Sequence, residues 1–244
     1  MNLFLVIASA AAGLVAGPTL YANAIRAGSR RPLGWGWECE WCSTPRTRRP
    51  WSQCVECRKP IRRREPLWWL VAGLAGGGAG WVAGASFTLP AYLAFAGVTV
   101  MLTITDLDHK LIPNAILYPW GGGALLALAV GAIADGDVDR LPRAVAAGIG
   151  FFGVLFVVAL IARGGFGFGD VKLAALLGPF VAYQHWEHFV VSVFFTGMYG
   201  GIPAIAMLVF RRARIGDELP YGPAMILGAW TALIGGAAFI ELIR

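Results

Sequence analysis

Charged residues are scarce in this chain. They make up 14% of its 244 residues, while hydrophobic residues make up 57%; ordinary soluble domains carry about a quarter charged residues. So little charge cannot clothe a water-exposed surface of this size, which excludes a conventional soluble domain. Cysteine is equally thin. All four lie between Cys39 and Cys57, so no disulfide framework can staple the rest of the chain. No glycine-rich strand–turn–helix segment is readable as a nucleotide site. No solenoid repeat, low-complexity tract or second soluble domain is visible either.

What the chain has instead is long apolar runs. Crossing a bilayer takes about 18 or more apolar residues in a row. Such stretches occur at 3–22, 67–86, 115–134, 144–162, 189–210 and 221–241, with shorter ones at 88–105 and 171–184. The pattern predicts an all-α polytopic membrane protein of about eight transmembrane helices. Ala22 and Ala24 mimic a signal-peptide cleavage site, but no basic region precedes the first run and the run is long for a signal. A retained first helix, residues 1–25, is therefore expected.

The cations set the orientation. Eleven of the 20 Lys and Arg lie between Arg26 and Arg64, beside Glu38, Glu40, Glu56 and Glu65. In a soluble protein such a patch would suggest nucleic acid. Between two membrane spans it follows the positive-inside rule, and no nucleic-acid partner is expected. Placing 26–66 in the cytoplasm puts 17 cations inside and three outside. The loops at 106–113, 163–170 and 211–220 then fall inside, those at 135–143 and 184–188 outside. The doubtful stretch at 171–184, with Pro179, must cross, or Arg211, Arg212 and Arg214 would face outside. His185, Glu187 and His188 fall in an outer connection and read more simply as solvated than as a metal site.

Within the basic loop, Cys39 and Cys42 form one CxxC knuckle, Cys54 and Cys57 a second. Two such knuckles match the ligand spacing of a tetrathiolate zinc ribbon. Two disulfides are the alternative, but the reducing side of the membrane disfavours them. Four protein ligands close the metal's coordination shell, so the zinc would be structural.

Acids within or beside apolar spans are costly and point to function. Asp106 closes the third span and Asp170 opens the sixth, both at the cytoplasmic membrane edge. Two adjacent carboxyls share one proton, so one can act as base on water while the other donates to a carbonyl. The glycines at 164, 165, 167 and 169 would allow positive φ and close approach of an extended substrate. The plainer reading is a helix-opening acid favoured by the macrodipole. Elsewhere, Gly76 to Gly80 and Gly121 to Gly123 would let helix backbones approach closely.

Gly167-Phe168-Gly169-Asp170-Val171-Lys172-Leu173 resembles the GxGD motif of the type IV prepilin peptidases. Asp106-Leu107-Asp108-His109-Lys110-Leu111-Ile112-Pro113 resembles the family's first-aspartate segment, with Asn114 where the family usually has Asp. The cysteine loop resembles the zinc-binding loop of the longer members. Gly17 to Arg26 resembles their N-terminal segment, with Pro18 in place of Ser, and Leu219-Pro220-Tyr221-Gly222-Pro223 resembles the opening of their last helix. Asp106 and Asp108 point about 200° apart on a helix, and the resemblance selects Asp106. Asp108 and His109 are expected at the polar interface.

The resemblance implies a bacterial inner-membrane aspartic endopeptidase with Asp106 and Asp170 as catalytic residues and Gly167 and Gly169 at the substrate. Its substrate would be a prepilin or pseudopilin, cut after a glycine between a basic leader and an apolar helix held in membrane lipid. The resemblance extends to N-methylation of the new terminus with S-adenosylmethionine. Residues 67–244 would be the peptidase core. The rival readings are a transporter or channel with paired intramembrane aspartates, and a zinc-ribbon scaffold without catalysis.

Overall fold

The computed structural model describes residues 2–30, 33, 65–161, 167–209 and 221–243. Among them are eight helices: α1 Leu3–Gly28, α2 Glu65–Ala83, α3 Leu89–His109, α4 Asn114–Asp135, α5 Leu141–Ile161, α6 Phe168–Gln184, α7 Trp186–Val209 and α8 Gly222–Ile243. A π-helical turn, Leu117–Gly121, lies within α4. Each apolar run of the sequence thus coincides with one helix, and no strand occurs among the described residues. Five helices (α1, α3, α4, α5 and α8) are long and apolar enough to cross a membrane. The doubtful run around Pro179 is one continuous helix of 17 residues. The four cysteines of the expected zinc loop lie outside the described residues.

Burial runs opposite to that of a soluble protein at the periphery. Only 11% of the most apolar stretch of α1 is buried, against 67% for α3. Leu3, Phe4, Ile7, Leu14 and Val15 of α1 face outward, as do Ile149, Val154 and Leu160 of α5. Such surfaces suit hydrocarbon rather than water. The chain is accordingly a multi-pass membrane protein with α3 at its centre.

Small residues let the outer helices close on one another. Gly13 and Gly17 of α1 lie against Ala72 and Trp69 of α2, and Gly76 and Gly80 of α2 lie against Ser9 of α1. A β-carbon on Gly13 would strike the Ala72 carbonyl, and one on Gly80 would lie 2.8 Å from Ser9 Oγ. In the second expected stretch only Gly121 meets a neighbour, Leu176; Gly122 and Gly123 face open space. Around α3 the packing is aromatic. Phe95 stacks on Phe180 of α6 with centroids 4.2 Å apart and contacts Trp230 of α8 at 5.4 Å. Tyr92 Oη donates to the Phe180 carbonyl at 2.9 Å, and Trp230 Nε1 to Thr99 Oγ1 at 3.2 Å. These contacts lock α3 to α6 and α8, the helices that supply the other parts of the site.

The two ends of the bundle differ. At one end the Phe87 N–H donates to Asp135 Oδ1 at 3.0 Å, and Arg143 caps α6 through the carbonyls of Tyr183 and Gln184. His188 lies at this end and is buried against Gly236, not solvated as expected. Among the described residues no group of three metal-binding side chains forms. Asp106 and Asp170 lie at the other end.

Candidate active site

Asp106 lies in the last turn of α3, where its carbonyl accepts from the Lys110 N–H at 2.8 Å and the helix stops. Lys110 takes a left-handed conformation, φ 51°, and turns the chain into Leu111–Pro113. Asp170 lies in the first turn of α6, its N–H donating to the Gly167 carbonyl at 3.0 Å. Gly167 is the N-cap residue. A carboxylate in a first helical turn is favoured by the macrodipole.

The structure brings the two acids together. Asp106 is 6% exposed and Asp170 8%, and Gly169, next to Asp170, and Gly222, beside the Asp106 carboxyl, both lie against Ile112. By contrast, Asp108 is only partly buried. His109, half-buried at the last residue of α3, packs against Gly28 of α1, and its Nε2 is buried with no hydrogen-bond partner among the described residues.

Two further elements complete the site; both lie in segments quoted from the sequence, but neither residue was given a role beside the acids. The Gly222 N–H, opening α8, donates to Asp106 Oδ2 at 3.1 Å in a buried bond. Ile112 fills the space between the two acids' supports. A β-carbon on Gly169 would lie 3.1 Å from Ile112 Cβ, and one on Gly222 would lie 3.5 Å from Ile112 Cδ1. Tyr221 fits its ring against Gly200 of α7. The Pro-Tyr-Gly-Pro run marked a helix opening in the sequence, but nothing in it pointed to Asp106.

The glycines act by size, not by unusual backbone. Gly167 has φ −69°, and the positive-φ glycines of the described residues are Gly84 and Gly136. The positive φ expected at Gly167 and Gly169 is therefore not used. Gly167 is exposed, and a β-carbon there would lie 3.3 Å from Asp170 Oδ2. Gly164 and Gly165 lie outside the described residues.

Buried paired carboxyls can hold one proton between them and exchange it with water or a carbonyl. Residues 93–205, which carry both acids, match the type IV leader peptidase family. This stretch is a type IV leader peptidase family domain. Gly222, the donor to Asp106, lies beyond the matched stretch. The chain is 28% identical over 198 residues to the prepilin leader peptidase/N-methyltransferase of Stutzerimonas stutzeri, covering 79% of this chain and 67% of the relative. It is 30% identical over 186 residues to the protein of the same name from Pseudomonas aeruginosa, covering 76% and 63%. The corresponding protein of Aeromonas hydrophila is 28% identical over 188 residues, again covering 76% and 63%. The alignments thus span about two thirds of the relatives' length. No solved structure matches the chain.

Proposed function

We propose that this chain is an aspartic endopeptidase of the bacterial inner membrane. It cleaves a prepilin or pseudopilin after a glycine, between a basic leader and an apolar helix. The observation that carries this reading is the buried juxtaposition of Asp106 and Asp170 at one end of the bundle. One carboxylate takes a proton from water as the water attacks the scissile carbonyl. The other, protonated, donates to the carbonyl oxygen, and the proton taken up passes to the leaving amine. Gly167, exposed beside Asp170, leaves room for the extended substrate backbone, while the space beside Gly169 is taken by Ile112.

A transporter reading would also use paired intramembrane acids, but the family match and the relatives' names favour the peptidase. N-methylation with S-adenosylmethionine rests on those names alone, and no described residue is assigned to that cofactor. The four-cysteine loop would hold a structural zinc through Cys39, Cys42, Cys54 and Cys57.

The test is incubation of the purified protein, in detergent, with a prepilin bearing a basic leader, followed by mass analysis of the products. Cleavage at the Gly–apolar junction that vanishes in Asp106→Asn is expected. Active wild-type preparations that cut elsewhere, or an Asp106→Asn variant that still cuts, would overturn the proposal.

A further inference from the structure

Lys172 is held on three sides, two residues after Asp170. Its Nζ donates to Asn114 Oδ1 at 3.0 Å. The same ammonium lies over the rings of Tyr118, 5.6 Å from the centroid, and Phe168, 5.0 Å away. Ammonium groups over aromatic faces are attracted by the ring quadrupole, most strongly where water is thinned. Phe168 in turn meets Phe156 of α5 edge-on at 6.3 Å. Two positions apart on a helix, Asp170 and Lys172 point to opposite sides. Asp170 faces α3 and the start of α8, whereas Lys172 faces α4.

The α4 side of this contact has its own irregularity. Asn114 opens the helix, and Tyr118 lies in the π-helical turn Leu117–Gly121, which contains Pro119. Proline has no N–H to give the preceding turn, and a widened turn re-aims the side chains it carries. Between α3 and α4 the chain from Leu111 to Pro113 is not helical. This short piece carries Ile112, the side chain seated between Gly169 and Gly222. One of its ends hangs from the helix of Asp106. The other ends at Asn114, which Lys172 holds.

We propose that Lys172 is a positioning residue for the aspartate pair. By fixing Asn114 and Tyr118 against the first turns of α6, it seats Ile112 between the two acid-bearing elements and sets the spacing of the carboxyls. The inference rests on the reading of Asp106 and Asp170 as the catalytic pair. Asn114 suits this role: its neutral amide accepts the hydrogen bond and leaves the ammonium's charge to the two rings.

The full-length protein tests this with two readouts, one independent of catalysis. Lys172→Met keeps the aliphatic stem but removes charge and donors. It should lower kcat for prepilin cleavage about tenfold or more, with KM within about twofold, the pattern of a misplaced catalytic group. Hydrogen exchange across residues 110–118 should rise at least about threefold, while α1 and α2 exchange as in wild type. Lys172→Arg, which keeps a cation and donors for the same partners, should restore most of both. Asn114→Ala should act in the same direction, and its combination with Lys172→Met should add little. Unchanged kcat or unchanged exchange in Lys172→Met overturns the proposal. So does a uniform rise in exchange, failure of Lys172→Arg to rescue, or additivity with Asn114→Ala. If Lys172→Met does not fold, Asn114→Ala and Tyr118→Leu decide on the same two readouts. If wild type cleaves no prepilin, the peptidase reading has failed, and the exchange arm alone still decides whether Lys172 seats this segment.

Discussion

Asp106 Oδ2 accepts the backbone N–H of Gly222 at 3.1 Å, and a β-carbon on that glycine would lie only 2.8 Å from the same oxygen. The bond joins the end of α3 to the start of α8 across 116 residues of sequence. One atom of the candidate pair is thus fixed by backbone, and fixed at a position where only glycine fits. Gly222→Ala should push the carboxyl aside and lower kcat/KM roughly 10–100-fold, the range for small misplacements at a reacting centre. Gly201→Ala is the matched control, because a β-carbon there meets open space. Equal activity of the two variants in a prepilin assay would show that the contact does not serve catalysis.

The acids themselves give a sharper test. Asp106→Asn and Asp170→Asn each remove one half of a shared-proton system, so each should lower cleavage by about 10²–10⁴-fold. Membrane insertion and expression should stay unchanged. Asp108, only partly buried and pointing elsewhere on the helix, should tolerate Asn with most activity retained. A dead Asp108→Asn beside an active Asp106→Asn would reverse the assignment.

The packing at Gly169 gives a steric test of the site. At Gly169 a β-carbon would lie 3.1 Å from Ile112 Cβ, so valine must displace Ile112, and with it the segment leading from Asp106. Gly169→Val should therefore impair cleavage strongly. Gly123→Val adds its side chain where nothing lies within 4 Å and should cost little activity. Comparable rates for the two would remove the steric argument.

Much of this was legible in the sequence, for a physical reason. A bilayer demands apolar runs of fixed length and penalises every acid among them, so both the helices and the two placed aspartates stand out. Pairing across the bundle left no such mark. The Gly222 contact uses a backbone donor, which no side-chain pattern reports. Ile112 and Lys172 lay within the two aspartate segments, but nothing in the sequence reported what their side chains touch. His188 was misplaced because exposure was inferred from polarity. A close glycine, Gly236, instead lets that ring pack inside.

The cysteine loop makes a separate prediction. Four thiolates at CxxC spacing should hold about one zinc per chain in purified protein, measured by elemental analysis. Cys39→Ser or Cys57→Ser should lower zinc content and thermal stability before altering the chemistry of the aspartates. Metal-free protein with two intact disulfides would sink both the zinc and the cytoplasmic placement of the loop.

Orientation ties the fold to the substrate's route. The Phe87–Asp135 bond and the Arg143 cap lie at one end of the bundle, while Asp106, Asp170 and Gly222 gather at the other. We propose that the second end faces the cytoplasm, because the loops there carry the excess of cations in the sequence. A substrate with a basic leader would be held inside by the same bias, its apolar helix would stay in the bilayer, and the junction between them would lie at the depth of the two acids. Exposed positions at the two ends report this directly. Lys110 is exposed beside Asp106, and Asp139 is exposed at the far end; Asp137 is a poorer reporter because it pairs with Arg140 at 3.2 Å. In sealed spheroplasts an impermeant thiol reagent should label Asp139→Cys and leave both Lys110→Cys and the wild-type protein unlabelled. After permeabilisation Lys110→Cys should react as well. Labelling of Lys110→Cys from outside in sealed spheroplasts would invert the orientation and close the proposed route to the aspartates.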